Sequence, residues 1–107
     1  MSQKRRVVVT GMGIVSPVGN SIAQAWDSIS NGRSGIGPIT SFDCSAYNTR
    51  IAGEVRDFDP TAYVSAKDAK KMDPFIHYGL AASMMALADS GLEISDANAE
   101  RIGAIIG

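Results

Sequence analysis

Cysteine and histidine are nearly absent from this sequence, since Cys44 and His77 are the only residues of either type. One thiol excludes an internal disulfide and suits a reducing compartment. One imidazole excludes a metal centre built on a histidine cluster, and any thiol–imidazole pair within the chain would have to use Cys44. An excess of charge of either sign is missing too. Ten basic and eleven acidic residues leave a formal charge of −1, so no global field recruits nucleic acid or a membrane. Long apolar runs are also lacking. After the basic beginning MSQKRR only three apolar residues precede Thr10 and Gly11, too few for a signal peptide, and no later run could span a bilayer. These absences predict a cytoplasmic protein with neither nucleic acid nor membrane as a partner.

What is present reads as a soluble globular chain: 45% hydrophobic and 20% charged residues, over a length that suits one domain. The opening RVVVTGMGIVSPVG carries a β-branched run from Val7 to Thr10 without polar alternation, which predicts a strand covered on both faces. Asn20 or Ser21 then caps a helix, with Ser21 and Gln24 spaced as a capping box. Ile22, Ala25, Trp26 and Ile29 share one face of that helix, and Asn31-Gly32 closes it. The stretch RSGIGPITSFDCSAYNTR reads as loop, and TRIAGEV as a short exposed strand weakened by Gly53.

Asp59-Pro60 starts a brief helical turn through Tyr63, and Ser65 is an N-cap with Asp68 three residues on. Asp73-Pro74 restarts the chain, because the residue before proline disfavours the α region. The segment PFIHYGLAASMMALADSG predicts the longest helix, with one stripe of Phe75, Gly79, Ala82 and Ala86 beside another of Ile76, Leu80, Ser83 and Leu87. Gly91 followed by Leu92 stops it. RIGAIIG at the end predicts a second buried strand, which completes an α/β layer. A parallel strand ending at the last residue would leave sheet edges and helix faces uncovered, so residues 1–107 are expected to be part of a larger domain.

Few residues here invite chemistry. GMGIVS is a partial dinucleotide pattern, but Ser16 and Pro17 stand where a third glycine should open a helix, so a tight strand-to-loop turn is expected instead. Cys44 has no neighbouring base, and Asp43 beside it opposes thiolate formation, so it reads as a packing residue. His77 aligns with Ala81 and Met84 away from the main stripes, in a satisfied supporting role rather than as a general base. Met72, Met84 and Met85 fill gaps. No cofactor and no metal is expected. The cluster in SAKDAKKMDP differs in kind. Lys67, Lys70 and Lys71 fall in one sector of a short capped helix, with Ala66, Ala69 and Met72 broadly opposite. A solvated charged face is the ordinary explanation, and a dock for an acidic helix on a partner is the alternative.

The ordered set RRVVVTGMGIVSPVGNS, GRSGI, FD, KDAKKMDPFIHYGLAAS and RIGAIIG resembles the N-terminus of 3-oxoacyl-(acyl-carrier-protein) synthases. FDCSAYNTRIAGEV and KKMDPF favour type II, the beta-ketoacyl synthases II of bacterial fatty-acid synthesis. The likeness runs from Arg5 to Gly107, nearly all of this chain but a minority of such an enzyme. It implies a thiolase-like α/β fold, of which this chain is the N-terminal part of the first half, in a homodimer. It also implies a decarboxylative condensation of an acyl thioester with malonyl-acyl carrier protein. The nucleophilic cysteine and two histidines of that family would lie beyond Gly107, and neither Cys44 nor His77 matches their motifs, so no catalytic residue is expected in this chain. What the resemblance does assign is the dock: Lys67, Lys70 and Lys71 match the basic positions that hold acyl carrier protein, with Lys70 where an arginine is common. Two other readings stay open, a non-catalytic carrier-binding fragment and a polyketide-type ketosynthase of the same fold.

Overall fold

The computed structural model describes residues 3–107. Helix α1, Ile22–Ser30, begins where expected. Ser21 Oγ accepts the Gln24 N–H at 3.2 Å, while Gln24 Oε1 takes the N–H of Asn20 at 3.1 Å, one residue earlier than a strict capping box. Asn31 ends the helix by donating its N–H to Asp27.

A two-stranded antiparallel ribbon follows. Strand β1, Ile36–Pro38, pairs with β2, Ile51–Gly53, in the register Ile36 to Gly53, Gly37 to Ala52 and Pro38 to Ile51. The exposed strand expected at TRIAGEV is present. Its partner falls inside a stretch read as loop, because Gly and Pro lower strand propensity and only the pairing across the ribbon reveals it. The connecting loop closes on Glu54. Its carboxylate accepts the Thr40 N–H and Thr40 hydroxyl at 3.0 Å each and the Ser41 N–H at 3.1 Å.

Next come a 3₁₀ turn at Pro60–Ala62, helix α2 at Ala66–Ala69 and helix α3 at Pro74–Ser90. Pro74 occupies the first turn of α3, and Gly91 ends the helix in the left-handed region at φ 69°. The break between α2 and α3 before Pro74 is as expected.

The two buried strands are not there. Residues 7–10 form no ladder, and Val7 is 93% exposed. A 3₁₀ turn at Ala99–Arg101 leads into an irregular end, where Ile105 is 98% exposed. A strand exists only as hydrogen bonds to a neighbour, and no segment among the described residues offers these runs one.

The glycines of TGMG do something else. A Cβ on Gly11 would stand 2.4 Å from the Ala86 carbonyl oxygen, and one on Gly13 would stand 2.2 Å from that of Ala82. The backbone of residues 11–13 therefore lies directly on α3, and the Met12 N–H reaches Asp89 Oδ2 at 3.0 Å. Ala81, fully buried, sits on the His77–Ala81–Met84 line rather than on either predicted stripe. The predicted stripes are split: Ala82 and Ala86 meet the backbone of residues 11–13, while Phe75 (71% exposed), Ile76 and Leu87 face outward. On α1 only Ala25 of the predicted face is buried, and Trp26 is 67% exposed.

These exposures and the dimensions agree. The Cα radius of gyration is 17.8 Å, whereas a compact chain of this length has about 13 Å. The helix and strand mixture predicted from the sequence is present, but it carries its apolar faces uncovered.

Two outcomes follow from this packing. The isolated 107-residue polypeptide should show no cooperative thermal transition in far-UV circular dichroism, and a sharp melt would overturn the account of the uncovered faces. The hydrogen bonds from Thr40, its backbone N–H first, hold the Glu54 carboxyl below its ordinary range. A depressed folded value means that its contribution is present above the ordinary glutamate range and is lost as pH falls through the folded value. In folded protein, exchange of the Thr40 and Ser41 amides should therefore rise as acid protonates Glu54, and Glu54→Ala should abolish that pH step.

Candidate functional site

The basic cluster is built by two caps and an aromatic prop. Asp59 Oδ1 accepts the Thr61 N–H at 2.9 Å and starts the 3₁₀ turn, and the Thr61 hydroxyl, then its N–H, hold the Asp59 carboxyl below its ordinary range. Ser65 Oγ accepts the Asp68 N–H at 3.1 Å and starts α2. Between the two turns, Phe58 stacks on Tyr63 at 5.8 Å and meets Tyr78 of α3 edge-on at 5.2 Å. The segment is thereby fastened to the first turns of α3.

Only Lys67 lies within α2. Lys70 is its C-cap, still at helical dihedrals (φ −67°, ψ −19°), and donates its N–H to Ala66. The Lys71 N–H bonds to Asp68, so the three lysines occupy one helical turn and its continuation rather than a single longer helix. The helix ends early because Pro74 and Asp73 restart the chain so soon after it. All three lysines are exposed; of the residues expected opposite them, Ala69 and Met72 are half-buried and Ala66, in the first turn, is exposed. Among the described residues the only ion pair is Arg33 with Asp27, on and just beyond α1. Among the described residues the lysine ammonium groups thus have no carboxylate within ion-pairing distance.

The other candidates resolve simply. His77 Nε2 lies 2.9 Å from the Ala69 carbonyl oxygen, the supporting contact its position suggested. Cys44 is half-buried in the β1–β2 loop, where its carbonyl accepts the Tyr47 N–H at 3.0 Å. Among the described residues no group of three His, Cys, Asp or Glu could hold a metal. Gly11 and Gly13 face α3, and the next helix begins only at Ile22, so GMGIVS builds packing and not a phosphate cradle.

Cavities among the described residues lie elsewhere. An open cleft of about 450 Å³ beside the start of α1 includes Asn20, Gln24, Arg56 and Asp57 in its lining. An apolar groove of about 390 Å³ runs between α3 and the last residues, past Phe75, Leu80 and Ile106. The lysines border neither. The aromatic prop escaped the sequence reading, although Phe58, Tyr63 and Tyr78 bracket the basic segment and supply the signal.

Residues 4–107 match the family described as beta-ketoacyl synthase, N-terminal domain. The chain belongs to this family. Within the beta-ketoacyl synthases it is 58% identical over 104 residues to 3-oxoacyl-(acyl-carrier-protein) synthase 2 of Vibrio harveyi. The same-named proteins of Coxiella burnetii and Staphylococcus aureus N315 are 48% and 41% identical. The first alignment takes in 97% of this chain and 25% of the relative, so the chain spans about a quarter of the length of the curated synthases it matches. Among solved structures, the ishigamide ketosynthase/chain length factor superimposes with a TM-score of 0.74 at 37% identity, over 85% of this chain and 23% of that one. The exposed apolar faces belong to a segment whose relatives are far longer.

Proposed function

We propose that this chain is the N-terminal part of a type II 3-oxoacyl-(acyl-carrier-protein) synthase, and that Lys67, Lys70 and Lys71 seat acyl carrier protein. The 58% identity to the Vibrio harveyi synthase 2 supports the enzyme type. One observation carries the docking role: three exposed lysines on one capped turn, none paired with a carboxylate of the described chain. A polyketide-type ketosynthase is the second reading, and the lower identity of 37% to the ishigamide ketosynthase/chain length factor ranks it second. In either case the enzyme is a thiolase-like α/β protein of the cytoplasm, working as a homodimer. A non-catalytic carrier-binding fragment is the reading from outside the enzyme class.

The chemistry in this reading belongs to residues beyond the segment. A cysteine at a helix N-terminus takes the acyl group from the carrier thioester and frees the carrier thiol. Malonyl-carrier protein then loses carbon dioxide. Its carbanion attacks the enzyme thioester and returns the cysteine thiolate, while two histidines stabilise the developing oxyanion. This segment supplies delivery. An acidic carrier helix meets a positive ledge on a chain whose overall charge is only −1.

Exposed ion pairs contribute about 0.2–1 kcal/mol each, so the three together contribute about 1–2 kcal/mol, acting mainly on encounter. In the full-length synthase, changing Lys67, Lys70 and Lys71 together to Ala should raise KM for carrier-bound substrate about 5- to 30-fold at low salt. Turnover should barely fall, and the gap should narrow as salt rises. Unchanged kinetics at low salt would refute the dock. Intact mass or gene sequence tests the enzyme reading itself: a reading frame continuing into a cysteine and two histidines is expected, and its absence would favour the non-catalytic fragment.

A further inference from the structure

We propose that His77 is a positioning residue for carrier docking: by donating Nε2–H to the Ala69 carbonyl it fixes the turn that bears Lys70 and Lys71. The inference rests on the docking role given above and adds the device that orients the ledge.

A helix of four residues has no persistence of its own in water. Its first turn is held by Ser65 Oγ on the Asp68 N–H at 3.1 Å. At its other end the Ala66 and Asp68 carbonyls receive the N–H groups of Lys70 and Lys71, both local bonds of the same turn. Ala69, the last helical residue, is different. Its carbonyl accepts the Met72 N–H at 3.3 Å and lies 2.9 Å from His77 Nε2 on α3. A carbonyl oxygen only accepts, so the hydrogen is on Nε2, and two lone pairs accommodate both donors.

His77 is thus the side chain that ties the end of α2 to another element. That element is the 17-residue α3, and Tyr78, the next residue along it, meets Phe58 in an edge-to-face contact. Lys70 and Lys71 follow Ala69 directly, so the bond sits one and two residues from their Cα atoms. Lysine side chains are flexible, and what can be ordered before a partner arrives is the backbone that aims them. Fixing that backbone in advance lowers the ordering cost of binding. The tie engages no lysine ammonium group and so leaves the charge of the ledge intact.

The test uses the full-length synthase with three substitutions. His77→Phe keeps the ring volume and removes the donor. His77→Asn keeps an amide but falls short of the Ala69 carbonyl, and serves as a second loss variant if the first does not fold. His77→Gln restores a donor of similar reach. For carrier-bound malonyl and acyl substrates, the Phe and Asn variants should raise KM about three- to tenfold with turnover within about twofold, and Gln should return KM to near the parent value. For the corresponding coenzyme A thioesters, which need no dock, KM should not move. If the triple lysine variant raises KM while His77→Phe and His77→Asn do not, the positioning role falls and the dock stands. If the triple variant is itself silent, the dock falls and this inference with it. Equal losses on carrier and coenzyme A substrates, or no rescue by Gln, would reduce His77 to general structural support and overturn the proposal.

Discussion

The close approach of the backbone at Gly11 and Gly13 to α3 is the contact on which the rest of the arrangement depends. No side chain larger than hydrogen fits there, since an added Cβ would fall inside contact distance of the Ala86 and Ala82 carbonyls. Because the two segments touch backbone to backbone, the Met12 N–H can reach Asp89, 77 positions away along the chain. Small residues on α3 allow this, and Ala81 on the same helix is fully buried. A long helix held in this way is a stable base for the short turns attached to its first residues.

Those short turns have little stability of their own. The 3₁₀ turn and α2 contain three and four residues, and each is started by a side-chain cap, Asp59 and Ser65. Their attachment to α3 comes from Phe58, stacked on Tyr63 and edge-on to Tyr78, and from His77 on Ala69. Electrostatics then acts at the surface of this assembly. Lysines in full solvent contribute little energy per contact, and they guide encounter more than they hold a complex. Their arrangement therefore matters more than their number.

The uncovered faces belong to the same picture. Trp26, Phe75, Leu87 and the apolar residues at both ends of the chain point to solvent here. An exposed apolar area of this extent is a surface for other protein. The curated relatives are about four times as long as this chain, in which the faces of α1 and α3 stand uncovered.

Local physics was legible in the sequence. Ser21, Asp59 and Ser65 announce starts through side-chain hydrogen bonds. Pro60, Pro74 and Gly91 mark starts and a stop through their own dihedral preferences, Asp73 making no side-chain cap bond; each element begins or ends there. The exposure of Lys67, Lys70 and Lys71 opposite Ala69 and Met72 follows from helical spacing. Pairing and burial were decided only in three dimensions. Val7–Thr10 has the composition of a buried strand, yet it finds no ladder partner among the described residues, because a ladder needs a second backbone that composition cannot specify. Periodicity likewise drew two apolar stripes on α3. The backbone of residues 11–13 meets one of them at Ala82 and Ala86, while Phe75 of the same stripe stays exposed and Ala81 beside it is fully buried, because only the fold decides how far along a stripe a neighbour reaches. Caps act over three or four residues and can be read from the chain; a contact across 77 residues exists only once the chain has folded.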